Sequence, residues 1–158
     1  MSTLSSHTDS LFGVRGSTQE IEESRILAPK FDRDGLLPCV VTNEKGGAVL
    51  MFAYMNADAL ARTIETGEAH YWSRSRGELW RKGATSGHVQ KVIDLRIDCD
   101  QDALWMTVEQ VGAACHAGYQ SCFYRSIALG GVVAAESPGL SFAETEKVFD
   151  PRTVYGKN

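Results

Sequence analysis

The stretch RIDCDQDALW (96–105) places three aspartates, Asp98, Asp100 and Asp102, at alternate positions, with Cys99 between the first two. Like charges at this spacing repel unless a cation sits among them, and oxygen ligands of this kind suit Mg²⁺ or Ca²⁺. Asp98, Asp100, Asp102 and Glu109 also match positions 1, 3, 5 and 12 of an EF-hand loop. Ala103, however, stands where that loop needs glycine, and the following LWMTV reads as strand. DQDA is good turn material too, which would leave the acids merely solvated. Further along, Cys115 and Cys122 lie in and just after a glycine-rich loop, GAACHAGYQ, with His116 beside the first. Loop cysteines among polar residues fit core filler poorly. Thiolates from Cys99, Cys115 and Cys122 would hold Zn²⁺ and leave the fourth tetrahedral position for water, the arrangement of a catalytic site. The C-x15-C-x6-C spacing is no standard zinc-finger pattern, and Cys99 by itself also reads as a small buried hydrophobe. A general base has to reach the metal-bound water, and His116 is the first choice.

The second constellation is WSRSRGELWRKGATSGH (72–88), which packs Arg74, Arg76, Arg81 and Lys82 around Trp72 and Trp80. Cations beside aromatic rings suit single-stranded nucleic acid. They suit a single nucleotide equally, with the base on an aromatic ring and the phosphates on Arg, Lys, hydroxyls and backbone N–H groups. The segment is short and the chain is acidic, so a small phosphorylated ligand is the better reading. KGATSGH lacks the G-x-x-x-x-G-K-[ST] order of a P-loop but has the composition of an N–H-lined anion nest ending at His88. The bland alternative is an exposed hairpin whose charges face solvent.

These side chains must be positioned by a strand-rich domain. LPCVVT and AVLMFAYM flank the turn-rich NEKGG, a β-hairpin signal, and Cys39 in the first of them reads as core. Asn56 caps a helix over ADALARTIET, with Leu60 and Ile64 on one face and Gly67 ending it. HYWSRS and ELWRK read as short strands around Arg76-Gly77, VQKVIDLRID and ALWMTVEQV as longer ones, and SCFYRSI as a last one. In VQKVIDLRID, strand alternation puts Ile93, Leu95, Ile97 and Cys99 in one row and the acids in the other. SFAETEKVF carries a capping box, Ser141 to Glu144, predicting a short helix stopped by Asp150-Pro151. The expectation is an α+β domain of mostly antiparallel strands with one main helix. It spans 29–130, between a flexible arm (1–28, with a short helix near Ser17–Arg25) and a C-terminal extension (131–158).

A length of 158 residues suits one domain with a real core. The net charge of −4 argues against a general nucleic-acid binder. No run of 18 apolar residues predicts a membrane span, and the N-terminus does not read as a secretory signal. An intracellular address follows, where cysteines stay reduced and ligand or catalyst roles outrank disulfides.

LMFAYMN, HYWSRSR, LWRKGATSGH, DCDQDAL and ACHAGYQSCFYR, in this order, resemble the phosphoribosyl-AMP cyclohydrolases of histidine biosynthesis over roughly residues 29–127. The resemblance implies hydrolytic opening of the adenine ring of N1-(5-phosphoribosyl)-AMP by a zinc-activated water, in a cytoplasmic, obligate-type homodimer. It implies zinc on Cys99, Cys115 and Cys122 in a site shared between subunits, and Mg²⁺ on Asp98, Asp100 and Asp102. The remaining motifs would line the substrate site: Trp72, Ser73, Arg74, Ser75, Arg76, Lys82, Thr85, Ser86 and His88. Many relatives carry a basic residue where this chain has Tyr119-Gln120. Some relatives add a pyrophosphohydrolase domain; the roughly thirty residues after the last matched strand are too few for one, so a monofunctional enzyme is expected.

Overall fold

The computed structural model describes residues 11–130 and 139–156. The fold is α+β. Six strands form one sheet: β1 (Leu37–Asn43), β2 (Val49–Met55), β3 (His70–Ser73), β4 (Glu78–Arg81), β5 (Gln90–Ile97) and β6 (Leu104–Gln110), in the order β4-β3-β2-β1-β6-β5. A separate two-stranded ribbon pairs β7 (Arg125–Ile127) with β8 (Leu140–Phe142). The helices are α1 (Thr18–Glu23), α2 (Ala57–Thr66) and α3 (Pro151–Tyr155). None of the described helices is long and apolar enough to cross a membrane.

The predicted β1–β2 hairpin is present, and both ends of α2 follow from sequence chemistry. The Asn56 side chain accepts from the Ala59 N–H, and Gly67 closes the helix in the left-handed region. The sheet is mixed rather than wholly antiparallel, because β1 and β6 run parallel with Cys39 opposite Leu104 and Val41 opposite Met106. Alternation in these central strands sends Leu37, Cys39 and Val41, with Leu104, Met106 and Val108, into one core beside Leu50, Met55, Tyr71 and Leu60 of α2. The opposite face leaves Phe52 and Trp105, which flank Val40, partly uncovered.

Three expectations change. Ile93 is an extra residue in a bulge between Val92 and Asp94, so it turns outward while Val92, Leu95 and Ile97 pack against the core. Strand β5 then ends at Ile97, and Cys99 lies in a turn rather than in the apolar row. The segment SFAETEKVF forms β8 and bends instead of a helix, because the Glu144 carboxylate accepts from the Gln120 and Ser121 N–H groups rather than capping Ser141. Asp150-Pro151, expected to stop a helix, starts one: Asp150 caps α3 and Pro151 opens it. Residues 11–28 of the arm expected as flexible carry the short helix expected near Ser17–Arg25, as α1 with a Ser17–Glu20 capping box. They are tied to the rest of the chain. The buried Gln101 side chain accepts from the Ala28 N–H and donates to the Ile21 and Ile26 carbonyls, and Arg15 donates to the Asp100 carbonyl.

Candidate active site

A cleft of about 470 Å³ opens over the β2–β4 half of the sheet. Met51, Phe52 and Ala53 of β2 line one side; Arg76, Trp80, Lys82, Thr85 and Ser86 line another; His116 and Cys122 face them, and Tyr155 of α3 completes the wall. Lys82 is 6% exposed and has no carboxylate partner among the described residues. Burial pulls its ammonium below the usual lysine pKa, against the opposing field of the Cys122 and Cys115 thiols. Its Nζ lies 5.8 Å from the Trp80 ring centroid. A buried cation without an acid, beside an aromatic face and two hydroxyls, is chemistry for an anionic, ring-bearing ligand. Gly83, at φ +85°, makes the turn after Lys82 possible: a Cβ there would collide with the Val89 backbone.

A second groove of about 480 Å³ shares Phe52 and Ala53 with the cleft and is lined by Tyr54, Trp72, Arg74 and Ser75. The Arg74 guanidinium sits 4.1 Å over the Tyr54 ring. Cation-bearing walls therefore lie on both sides of the outer β2 residues.

The loop after β6 is fixed to the start of β2. The Cys122 N–H donates to the Leu50 carbonyl at 2.7 Å, and Ser121 Oγ to the Val49 carbonyl at 2.7 Å. Cys115 is buried, and its sulfur accepts from the Ala117 N–H at 3.4 Å. Cys122 keeps surface open to the cleft, yet the protein around its thiol and the neighbouring Cys115 push it up to about 12. Cys39, fully buried in the core as its sequence context predicts, is likewise pushed up to about 12 by burial.

The acidic turn lies elsewhere. Asp98 Oδ1 accepts from the Asp102 and Ala103 N–H groups at 2.9 and 3.1 Å, closing the chain between β5 and β6. The carboxylate oxygens of Asp98, Asp100 and Asp102 lie within 4.8 Å of one another. Burial works against ionisation of Asp98, but the donated N–H groups prevail and hold its carboxyl low; Asp102, hydrogen-bonded to Asp98, is held high. Cys99, exposed, lines a pocket of about 350 Å³ with Asp98, Gln101 and residues of the 21–27 segment. This turn precedes β6 and the Cys115 loop follows it, and the two line different cavities: Cys99 and Asp98 the one beside the 21–27 segment, Cys122 and His116 the cleft. Within one chain, therefore, Cys99 and the aspartates do not share a cavity with Cys115, Cys122 and His116.

The cleft and groove thus gather Trp72, Arg74, Ser75, Arg76, Lys82, Thr85, Ser86 and His116 from the expected set. Ser73 is engaged in the β3–β4 turn, where its Oγ accepts from the Arg76 N–H and Nε. His88 does not line the cleft; its ring meets Phe149 edge-on at 4.6 Å and packs over Gly112, where a Cβ would meet it. Met51 and Phe52 fall within LMFAYMN, a motif of the resemblance, without a role of their own expected for either, and Tyr155 sits in a tail with no periodic signal.

The description "phosphoribosyl-AMP cyclohydrolase" belongs to the family model that matches residues 51–124. That span holds the cleft-lining strands and hairpin, the acidic turn and both loop cysteines. Proteins of the same name are similar over nearly the whole chain. One from Rhodopseudomonas palustris (strain BisB5) is 54% identical over 87% of this chain and 92% of its own length. One from Nitrobacter winogradskyi is 55% identical over 88% and 94%. One from Bradyrhizobium diazoefficiens is 54% identical over 89% and 97%. With this identity over this length, the chain belongs to the phosphoribosyl-AMP cyclohydrolase family and is a hydrolase of histidine biosynthesis.

Proposed function

We propose that the chain opens the adenine ring of N1-(5-phosphoribosyl)-AMP in a cytoplasmic homodimer, with zinc held across the two copies and Mg²⁺ at the aspartate turn. The observation that carries this reading is the convergence of Lys82, Trp80, His116 and Cys122 on one cleft. Arg76 and Lys82 answer one phosphate, with Thr85 and Ser86 adding hydroxyl donors, and Arg74 and Ser75 in the adjoining groove answer the other. Trp80 offers its face to the base.

The donor chemistry fits both metals. Cys115 and Cys122 are neighbouring thiols, and burial together with Cys115 opposes ionisation of Cys122, an opposition that a soft dication reverses. Three clustered carboxylates suit a hard dication. The third thiol, Cys99, lines a different cavity of the same chain, so it joins the pair from a second copy. The partly uncovered sheet face around Phe52 and Trp105 gives a second copy an apolar surface to bury. When bound, zinc supplies Lewis acidity that makes hydroxide available near neutral pH. His116 takes the proton as water oxygen adds to ring carbon 6, then returns it to ring nitrogen 1 as the bond between these atoms breaks. The second water proton ends on the exocyclic nitrogen, so carbon 6 becomes a carboxamide, ring nitrogen 1 keeps its hydrogen in the formimino group, and no ammonia leaves.

The test is an ultraviolet assay of ring opening with and without chelator, beside the zinc content of wild type and Cys115→Ala. Loss of zinc and turnover together is expected for the variant; retained zinc with full activity overturns the proposal. Bound zinc without turnover by the wild type would favour a structural site.

A further inference from the structure

The C-terminal segment 143–155 lies outside the span matched by the family model, yet it is built against the catalytic loop. The Ala143 N–H donates to the Tyr124 carbonyl, Glu144 takes the Gln120 and Ser121 N–H groups immediately before Cys122, and the Val148 N–H donates to the Gly118 carbonyl at 2.7 Å. Gly118 adopts φ +99°, and a Cβ there would overlap the Phe149 carbonyl, so the loop is shaped to let the tail pass. Phe149 anchors the tail on the His88 ring. One turn later α3 presents Tyr155, whose ring is 6.2 Å from Phe149 and 47% exposed, and which lines the cleft with Trp80 and Lys82. A five-residue helix with no buried residue does not need a half-exposed aromatic for its own packing.

We infer that Tyr155 is a substrate-contacting residue, supplied by the tail, whose ring stacks on the purine across the cleft from Trp80. This rests on the nucleotide reading of the cleft given above. The tail thereby sets affinity for the substrate base, while the groups proposed to move protons and hold metal remain on the 115–122 loop and the 98–102 turn. Stacking of one base on one aromatic ring is sequence-tolerant and is lost with the ring, not with its hydroxyl.

The experiment compares Tyr155→Ala and Tyr155→Phe with wild type in full-length, zinc-loaded protein, by initial rates of phosphoribosyl-AMP ring opening. Y155A should raise KM about tenfold with kcat changed less than about threefold, and Y155F should stay within about twofold of wild type. Zinc content and thermal stability should match wild type in both, which a merely structural tyrosine would not give. A wild-type KM in Y155A overturns the inference while leaving the cleft assignment intact, and an equal rise in Y155A and Y155F overturns stacking. Absence of turnover by the wild type itself refutes the nucleotide reading on which the inference stands.

Discussion

Replacing Lys82 by methionine should leave the fold at least as stable while weakening the hold on substrate. The lysine is buried, carries no acid partner among the described residues, and has its ammonium destabilised by burial. Methionine keeps the apolar stem that packs beside Trp80 and removes the poorly solvated charge. A charge-assisted hydrogen bond to phosphate is worth about 1.5–3 kcal/mol, so kcat/KM should fall between about 10- and 150-fold. The loss should appear mainly in KM, because the phosphate is bound before and during reaction alike. The assay is initial-rate kinetics of ring opening beside thermal unfolding of both proteins. Any stability advantage of K82M should narrow as pH rises toward the ordinary lysine value of 10.5. In that window the folded wild type has already released a proton that the unfolded chain still holds, so wild-type stability climbs with pH. A variant with wild-type kcat/KM, or one clearly less stable than wild type, would refute the argument that Lys82 is buried for the ligand's sake.

Gln101→Ala removes a side chain that makes three hydrogen bonds to the 21–28 segment, at a left-handed position (φ 60°), and should cost about 2–4 kcal/mol in chemical denaturation. A change below about 0.5 kcal/mol would mean that the segment is not held as described. Asp100→Asn should weaken Mg²⁺ dependence while zinc content stays at the wild-type level; loss of zinc instead would merge two sites drawn here as separate. In chelator-treated protein, a thiol reagent near pH 8 should modify Cys99 first and Cys39 only on unfolding, since one is exposed and the other is buried with its thiol pushed up to about 12. Peptide mapping that finds Cys39 labelled in the native protein would contradict the core.

The local elements were legible because their signals are local. NEKGG between apolar runs marks the hairpin, and Asn56 with Gly67 brackets α2. The parallel β1–β6 pairing joins residues far apart in sequence, and nothing in either strand's pattern announces its partner. The bulge at Ile93 took that one side chain out of the apolar row, while Leu95 and Ile97 kept their places; Cys99 was misplaced because β5 ends at Ile97 and the chain turns. The Ser141–Glu144 capping box misled because a long-range use of the Glu144 carboxylate, on the Gln120 and Ser121 N–H groups, competes with the local one. In the site, residue types carried the expectations: cysteines and aspartates for metals, Arg74 and Lys82 for phosphate. Their separation did not show in the sequence, because which cavity each cysteine lines is set by how the loops on either side of β6 pack against other strands. Tyr155 stayed hidden for a related reason: a five-residue helix carries too few positions to reveal a face.

The claim that one zinc site draws on two chains is tested most directly by subunit complementation. Cys99→Ala and Cys115→Ala proteins are prepared separately, then mixed, dissociated, reassociated with zinc and assayed for ring opening. Each variant alone should be inactive and zinc-poor. Random pairing makes half of the dimers mixed, each with one intact site of two, so activity should return to about one quarter of wild type. Mixtures that stay inactive, or a Cys99→Ala protein that keeps its zinc and its turnover, would contradict the shared site.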